Sequence, residues 1–330
     1  MLFKGKKVLI TGGTGSLGTA LTKKILDTDV DTIRIFSRDE LKQVQMKERF
    51  EDSRIRFLIG DVRDKERLFK ALEDIDIVIH TAAMKQVPVV EYNPFEAVKT
   101  NIHGTQNLIE CCFSRDVETV LGIGTDKAVS PFNTYGATKF LMERLFLSSN
   151  YYKGEHKTKF FCVRYGNVMG SRGSVIPLFI DQIKKYGKIT VTDSSMTRFN
   201  ITMNDALALI FRAIQYGNGG EVFVPKLKAY SLGDLIDVIV DVMGKKISLE
   251  TIPVRPGEKF HESLISADEI RNTYETDTDY IVFEKLTQER DILHDGRIRN
   301  STLKDRYSSD KVTLLTKQEI KNLILAEGFV

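Results

Sequence analysis

Six short apolar runs, each followed by a segment of different character, constrain this chain more than any other feature. They are Lys7–Thr11, Thr32–Phe36, Ile55–Ile59, Ile75–His80, Thr119–Ile123 and Lys159–Arg164. Runs this short, rich in Val, Ile and Phe, read as buried strands. Helical periodicity fills the intervals at Ser16–Asp27, Glu40–Phe50, Lys65–Leu72, Pro94–Cys112 and Tyr135–Tyr151. In the first of these, Leu17, Leu21, Ile25 and Leu26 share one side. Strand–helix alternation with short links builds βαβ units, and those require a parallel sheet with helices on both faces. The expected fold is therefore α/β, a doubly wound parallel sheet.

Beyond Tyr165 the pattern loosens. Gly170–Pro177 reads as a loop, Asp205–Tyr216 and Leu232–Met243 as helices, and Glu221–Val224 as a short strand. Ile281–Ser309 is polar and reads as irregular, and Thr316–Glu327 is a final amphipathic helix. The expected division places a nucleotide-binding domain at residues 1–170, with about 200–225 returning to it. A smaller, mainly substrate-binding domain spans 171–330.

Composition excludes several classes. The net charge of +3 over 330 residues gives nucleic-acid binding no support. Cys111, Cys112 and Cys162 are odd in number and lack C-x-x-C spacing, so neither a disulfide framework nor a zinc site is expected, and a reducing, cytoplasmic setting fits. The chain enters its first strand pattern directly after Lys6, so no secretory leader is expected. No run of about 18 apolar residues appears, so no membrane span is expected. The five histidines form no metal spacing, and Asp277 and Asp279 lack the rest of a calcium loop, so no metal is expected.

Between the first strand and first helix lies Gly12-Gly13-Thr14-Gly15-Ser16-Leu17-Gly18. Glycines at 12, 15 and 18 let backbone amides approach a pyrophosphate at a helix N-terminus, as in a Rossmann nucleotide site. Ser37-Arg38-Asp39 ends the second strand. A basic group there accommodates a 2′-phosphate and an acid binds ribose hydroxyls, so Arg38 favours NADP while Asp39 keeps NAD as the alternative. Asp61, beside Val62, can accept from an adenine amino group. Ala82 and Ala83 after the fourth strand are small enough for a ribose to lie against them.

Tyr135 and Lys139 are four apart on a predicted helix and so share a face. A nearby ammonium favours a phenolate and brings a tyrosine into range as a general base. With Thr125 at the end of the fifth strand, where ligands of such sheets bind, the set points to hydride-transfer chemistry.

These segments resemble the extended short-chain dehydrogenase/reductase family. The likeness runs through TGGTGSLG, IFSRDE, GDVRD, AAMKQVPVVEYNP, TNIHGTQN, TDKAVSPFNTYGATK, RYGNVMGSRGSVIPLF, MTRF and RPGEKFHE. Within the family, AAMKQVP and TDKA are most similar to the UDP-N-acetylglucosamine 4,6-dehydratases of polysaccharide and flagellin-glycan biosynthesis, whose best-known members invert C5. The resemblance implies that Thr125 bonds the sugar 4-hydroxyl, Tyr135 takes its proton, and Lys139 also holds the nicotinamide ribose. It implies Lys127 as the base at C5, with a depressed pKa, and Asp126 as the acid at the C6 hydroxyl. Lys85 is implied near sugar or nicotinamide, and Asn101 as a cofactor-side residue supporting a water or a helix kink. Tyr165, Asn167 and Val175 are implied at the substrate, and Arg198, Arg255 and Glu258 at its uridine diphosphate. The partners implied are a UDP-N-acetylhexosamine and further copies of the chain, at least a dimer through the helices around Asn101 and Tyr135. Gly124 departs from the serine usual in the group and is expected to loosen the backbone. A C5-retaining dehydratase, a C4 epimerase and a catalytically silent nucleotide sensor are the rival readings.

Overall fold

The computed structural model describes residues 2–171, 173–284 and 298–329. Residues 285–297 of the stretch expected to be irregular at 281–309, and Arg172 of the GSRGSV segment, lie outside the described residues. The expected strands form as β1 Lys7–Thr11, β2 Thr32–Ser37, β3 Ile55–Ile59, β4 Ile77–His80, β5 Thr119–Ile123 and β6 Lys159–Val163. Then follow β7 Asn167–Val168, β8 Lys188–Val191, β9 Thr197–Ile201, β10 Glu221–Pro225, β11 Ala229–Ser231, β12 Ser248–Thr251 and β13 Ser263–Ile265. Last come β14 Thr273–Glu275, β15 Asp279–Phe283, β16 Arg299–Asn300 and β17 Tyr307–Ser308.

Seven strands run parallel in the order β3-β2-β1-β4-β5-β6-β10, and β15, β14 and β16 extend the β10 edge antiparallel. The expected return of 200–225 to the sheet is thus joined by strands from 273–283 and 299–300. Part of the 281–309 stretch is strand rather than irregular, because Tyr280, Ile281 and Val282 are buried against β10.

The helices are α1 Ser16–Leu26, α2 Glu40–Phe50, α3 Lys65–Ala71, α4 Val87–Tyr92, α5 Pro94–Ala97 and α6 Gly104–Ser114, with a π-helical segment Val98–His103 joining the last two. Then come α7 Thr134–Tyr152, α8 Val175–Tyr186, α9 Met203–Tyr216, α10 Leu232–Met243 and α11 Lys317–Ala326. Helix α8 starts inside the stretch expected as loop. Pro177 is compatible with it, because its missing N–H falls in the first turn, where no intrahelical partner exists.

Strand residues alternate between two apolar layers. Leu9, Val78 and Val120 pack with Leu108, Cys112 and Phe146 from α6 and α7. Val8, Ile10, Ile77 and Ile79 pack with Leu21 and Ile25 of α1 and with Leu207 and Ile210 of α9. Burial on both faces is why the strands read as unbroken apolar runs. A third cluster joins α8, α10 and α11 through Phe179, Ile183, Leu235, Ile239, Ile320 and Ile324.

Arg164, at the C-terminal end of β6, is 1% exposed. Its guanidinium pairs with Glu143 of α7, with Glu269 at 2.9 Å, and donates to the Leu264 carbonyl at 2.8 Å. The same chemistry resolves Gly124. A β-carbon there would lie 2.6 Å from the Val163 carbonyl oxygen and 3.1 Å from Glu143 Oε2. Gly124 is thus the residue that close packing requires, and the expected loosening is not what the position serves. Removing one member of a buried pair leaves an uncompensated charge at a cost of about 3–5 kcal/mol. Arg164→Ala is therefore expected to lose stability of that size, read from the urea unfolding midpoint.

Candidate active site

Strand order reverses between β1 and β4, and a cleft of about 690 Å³ opens beyond the C-terminal ends of the strands. Every residue expected at the site lines it except Asp126 and Asn101.

At one end, Gly12 has φ +65°, and a β-carbon there would lie 2.8 Å from the Ala82 backbone. The turn therefore holds the loop after β4 at backbone distance. The α1 N-terminus opens on the cleft with Gly15 as N-cap, no side-chain cap and no acid in its first turn. Backbone amides at the positive end of a helix that borders the cleft fit a pyrophosphate. At the end of β2, Ser37 accepts from the Thr14 hydroxyl at 3.2 Å, and Arg38 lies 3.5 Å from Asp61. Asp39 is engaged elsewhere, capping α2 by accepting from the Lys42 amide at 3.0 Å and pairing with its amine at 2.6 Å. Lys42 also lines the cleft and was absent from the sequence reading. Burial raises the Asp61 carboxyl, but Arg63, bound at 2.8 Å, outweighs it and the net shift is downward.

Asn101 works from behind the cleft. Its Oδ1 accepts from the Met84 amide at 2.8 Å, and its Nδ2 donates to the Met84 carbonyl and Thr138 Oγ1, both at 3.0 Å. It sits in the π-helical segment and ties the loop after β4 to α7. Asn101 itself does not line the cleft.

In the middle, Tyr135 is 8% exposed. Burial pushes its phenol up, while the Thr125 hydroxyl and the Lys127 charge pull it down, and burial prevails. The expected lowering by Lys139 is not found in this structure. The Lys139 amine lies 2.9 Å from Met142 Sδ, and burial brings it down to about 8 against Cys162 and Glu143.

Lys127 departs further from expectation. Its Nζ lies 3.1 Å from Asp126 Oδ1, 3.3 Å from Glu262 Oε1 and 3.3 Å from Asn167 Oδ1. Burial favours the free amine, but Asp126 and Glu262 outweigh it and raise the pKa above the usual lysine value. The expected depression is overturned because two carboxylates, not a cation, adjoin the amine. Asp126 is 1% exposed, with Oδ1 taking both the Thr125 hydroxyl at 2.9 Å and Lys127. Glu262 went unassigned in the sequence, though it closes the RPGEKFHE segment.

At the far end, Arg198 is nearly buried, donates to the Thr197 and Phe260 carbonyls and lies 3.7 Å from Glu258. Arg255 lines the cleft beside it. The 255–259 turn is fastened to the start of α7 and to the segment before it. Asn133, the N-cap of α7, donates to the Gly257 carbonyl at 2.8 Å, and Lys259 donates to the Val129 and Ser130 carbonyls at 2.8 Å. His261 is outside the cleft lining and bonds Thr197 at 2.8 Å. The three cysteines are buried and unpaired, and the described residues contain no cluster suited to a metal and no helix long and apolar enough to cross a membrane.

This topology, with a glycine turn and a Tyr–Lys helix facing one cleft, defines an extended short-chain dehydrogenase/reductase fold. Residues 8–284 match the family described as polysaccharide biosynthesis protein, and the chain belongs to it. It is 46% identical over 283 residues to the UDP-N-acetylglucosamine 4,6-dehydratase (inverting) of Campylobacter jejuni, covering 85% of this chain and 84% of that one. It is 39% identical over 338 residues to a UDP-glucose 4-epimerase of Rickettsia bellii, covering 100% and 98%. The crystal structure of Pen from Bacillus thuringiensis superposes with a TM-score of 0.94 at 44% identity, covering 100% of both chains.

Free-enzyme groups set the pH dependence of kcat/KM. Lys139, charged below about pH 8 and neutral above it, is expected to give an alkaline limb near that value in a kcat/KM profile, and Lys139→Arg should move the limb upward.

Proposed function

We propose that this protein is a UDP-N-acetylglucosamine 4,6-dehydratase that inverts C5 and uses NADP. The observation that carries the reading is the Asp126–Lys127–Glu262 charge cluster beside Thr125 and Tyr135, since C4 epimerisation has no need of acid–base groups at C5 and C6. A nicotinamide cofactor, held by the glycine turn at Gly12, Gly15 and Gly18 and by Lys139, would supply hydride acceptance at sugar C4 and hydride return at C6. Thr125 orients the 4-hydroxyl and Tyr135 takes its proton, while Lys139 holds the ribose and supplies positive charge. The ketone at C4 acidifies the neighbouring C5 proton, Lys127 strips it, and an adjoining carboxylic acid protonates the departing C6 hydroxyl. Lys85, Tyr165, Asn167 and Val175 line the sugar region, and Arg198, Arg255 and Glu258 receive the nucleotide diphosphate, for which an arginine fork is suited.

Residues 1–170 with 200–225 serve the cofactor in this reading, and most of 171–330 serves the substrate. Self-association belongs to it too, supported by Tyr92, Phe95 and Phe132, which are 89%, 79% and 69% exposed.

Incubation with UDP-N-acetylglucosamine in deuterated water, followed by NMR, should show loss of one water, deuterium at C5 and inverted C5 configuration. Retained mass would replace the reading with the epimerase, and retained configuration with the non-inverting dehydratase. Lys127→Ala should still oxidise C4 and stall before elimination.

Support for NADP comes from Arg38, just after β2, and Lys42, in the first turn of α2, which both line the cleft, with Asp39 committed to the α2 cap. A hydrogen bond to a charged group contributes about 1.5–3 kcal/mol, so the double variant Arg38→Ala/Lys42→Ala should lose about tenfold or more in NADP affinity. Calorimetry should show NAD affinity little changed.

A further inference from the structure

Of the two carboxylates that hold the Lys127 ammonium, Glu262 lines the cleft and Asp126 does not. Glu262 is 2% exposed. One oxygen, Oε1, lies 3.3 Å from Lys127 Nζ; the other, Oε2, is buried with no hydrogen-bond partner. A buried carboxylate oxygen left unpaired is costly, and such a group calls for a role. Its backbone is held firmly: the Glu262 amide donates to Ser309 Oγ at 3.0 Å, the Ser309 amide donates to the Glu262 carbonyl at 2.8 Å, and Ser309 Oγ lies 2.7 Å from Thr197 Oγ1. Asp126 also has an unpartnered Oδ2, but its Oδ1 is committed to Thr125 and Lys127, which suits it to orient both.

Lys127 cannot accept a proton while it remains an ammonium, so a base role requires a place for that proton to go. We propose that Glu262 is a catalytic residue of the elimination, taking the Lys127 ammonium proton and then delivering it to the departing C6 hydroxyl. This rests on the dehydratase reading above.

The step balances without any further reactant. A proton moves from Lys127 Nζ to Glu262 Oε1, leaving a neutral amine and a carboxylic acid. The amine removes the C5 proton, becoming an ammonium again, and the C5–H electrons enter an enolate with the C4 ketone. The enolate then re-forms the ketone as the C5=C6 bond forms and the C6–O bond breaks. The oxygen leaves as water with the Glu262 proton. Lys127 ends as the ammonium and Glu262 as the carboxylate, as they began.

Two features favour Glu262 for the proton. Burial raises its carboxyl and the Asp126 charge does the same, against Lys127, Arg198 and Lys259. Exclusion of water by a bound sugar nucleotide would further favour the neutral amine–acid pair over the ion pair.

The test is Glu262→Gln, which keeps the shape and removes the carboxyl group able to take up and release a proton. With purified enzyme, its bound cofactor and UDP-N-acetylglucosamine, two signals are followed in one turnover: near-ultraviolet absorbance of reduced nicotinamide for C4 oxidation, and mass spectrometry for water loss. The variant should oxidise C4 within about threefold of wild type while water loss falls about 100-fold or more, the range of general acid–base catalysis. Water loss within about threefold of wild type overturns the proposal and leaves the dehydratase reading intact. Loss of both signals together makes Glu262 structural and also overturns it. Absence of water loss from wild type overturns the dehydratase reading first and this proposal with it.

Discussion

The reversal of strand order between β1 and β4 is the constraint on which everything else rests. Chain leaving β1 turns to one side of the sheet and chain leaving β4 to the other, so no connection covers the space between them. Gly12 keeps that space narrow enough to be a site, because its left-handed backbone and missing side chain admit Ala82 at contact distance. A sheet wound in one direction only would place the same glycine turn and the same Tyr135–Lys139 helix beside each other with no crevice to share.

Around that crevice the chain buries charge unevenly. Arg164, Glu143 and Glu269 form a closed set with several hydrogen bonds, and this lets α7, β6 and the C-terminal region share one buried anchor. The set at Asp126, Lys127 and Glu262 is less complete, with two carboxylate oxygens lacking partners. One cluster stabilises the frame through satisfied contacts; the other retains two unsatisfied oxygens, of which the one on Glu262 belongs to a residue that lines the cleft. The difference separates structural burial of charge from burial that keeps chemistry available.

The six strands of residues 7–163 and most of their helices are legible because each apolar run is bounded and each helix has its own period, whereas the short α4 at Val87–Tyr92 and the π-helical break within the helix expected at Pro94–Cys112 carry no such signal. The cleft residues are legible for the same reason, since they sit at strand ends and on one helix face. What escaped detection depends on distant segments meeting. Helix α8 was obscured by Gly170, Gly173 and Pro177, residues that punctuate loops but also fit a helix start. In the antiparallel edge, β14 and β16 are unreadable because strands of three and two residues carry no period of their own. The state of Lys127 could not be read because Glu262 lies 135 positions away in sequence, and only the fold sets its charge against the amine. The partners of the Asn101 side-chain amide, Met84 and Thr138, are equally hidden, since both lie on other segments of the chain.

The π-helical segment around Asn101 carries a consequence for how this architecture can vary. The Gly104 amide reaches back five residues to the Lys99 carbonyl, so one more residue is held in the turn than an α-helix would hold. That surplus residue shifts the phase of α6 relative to α5, allowing one rod to face the loop at Met84 with one end and the apolar layer with the other. Deleting a single residue between 98 and 103 would give a more regular helix and spin one end by about a quarter turn or more. Either the grip on Met84 or the packing of Leu108 and Cys112 would be forfeited. Length is therefore frozen in this segment even where side-chain identity is free to drift.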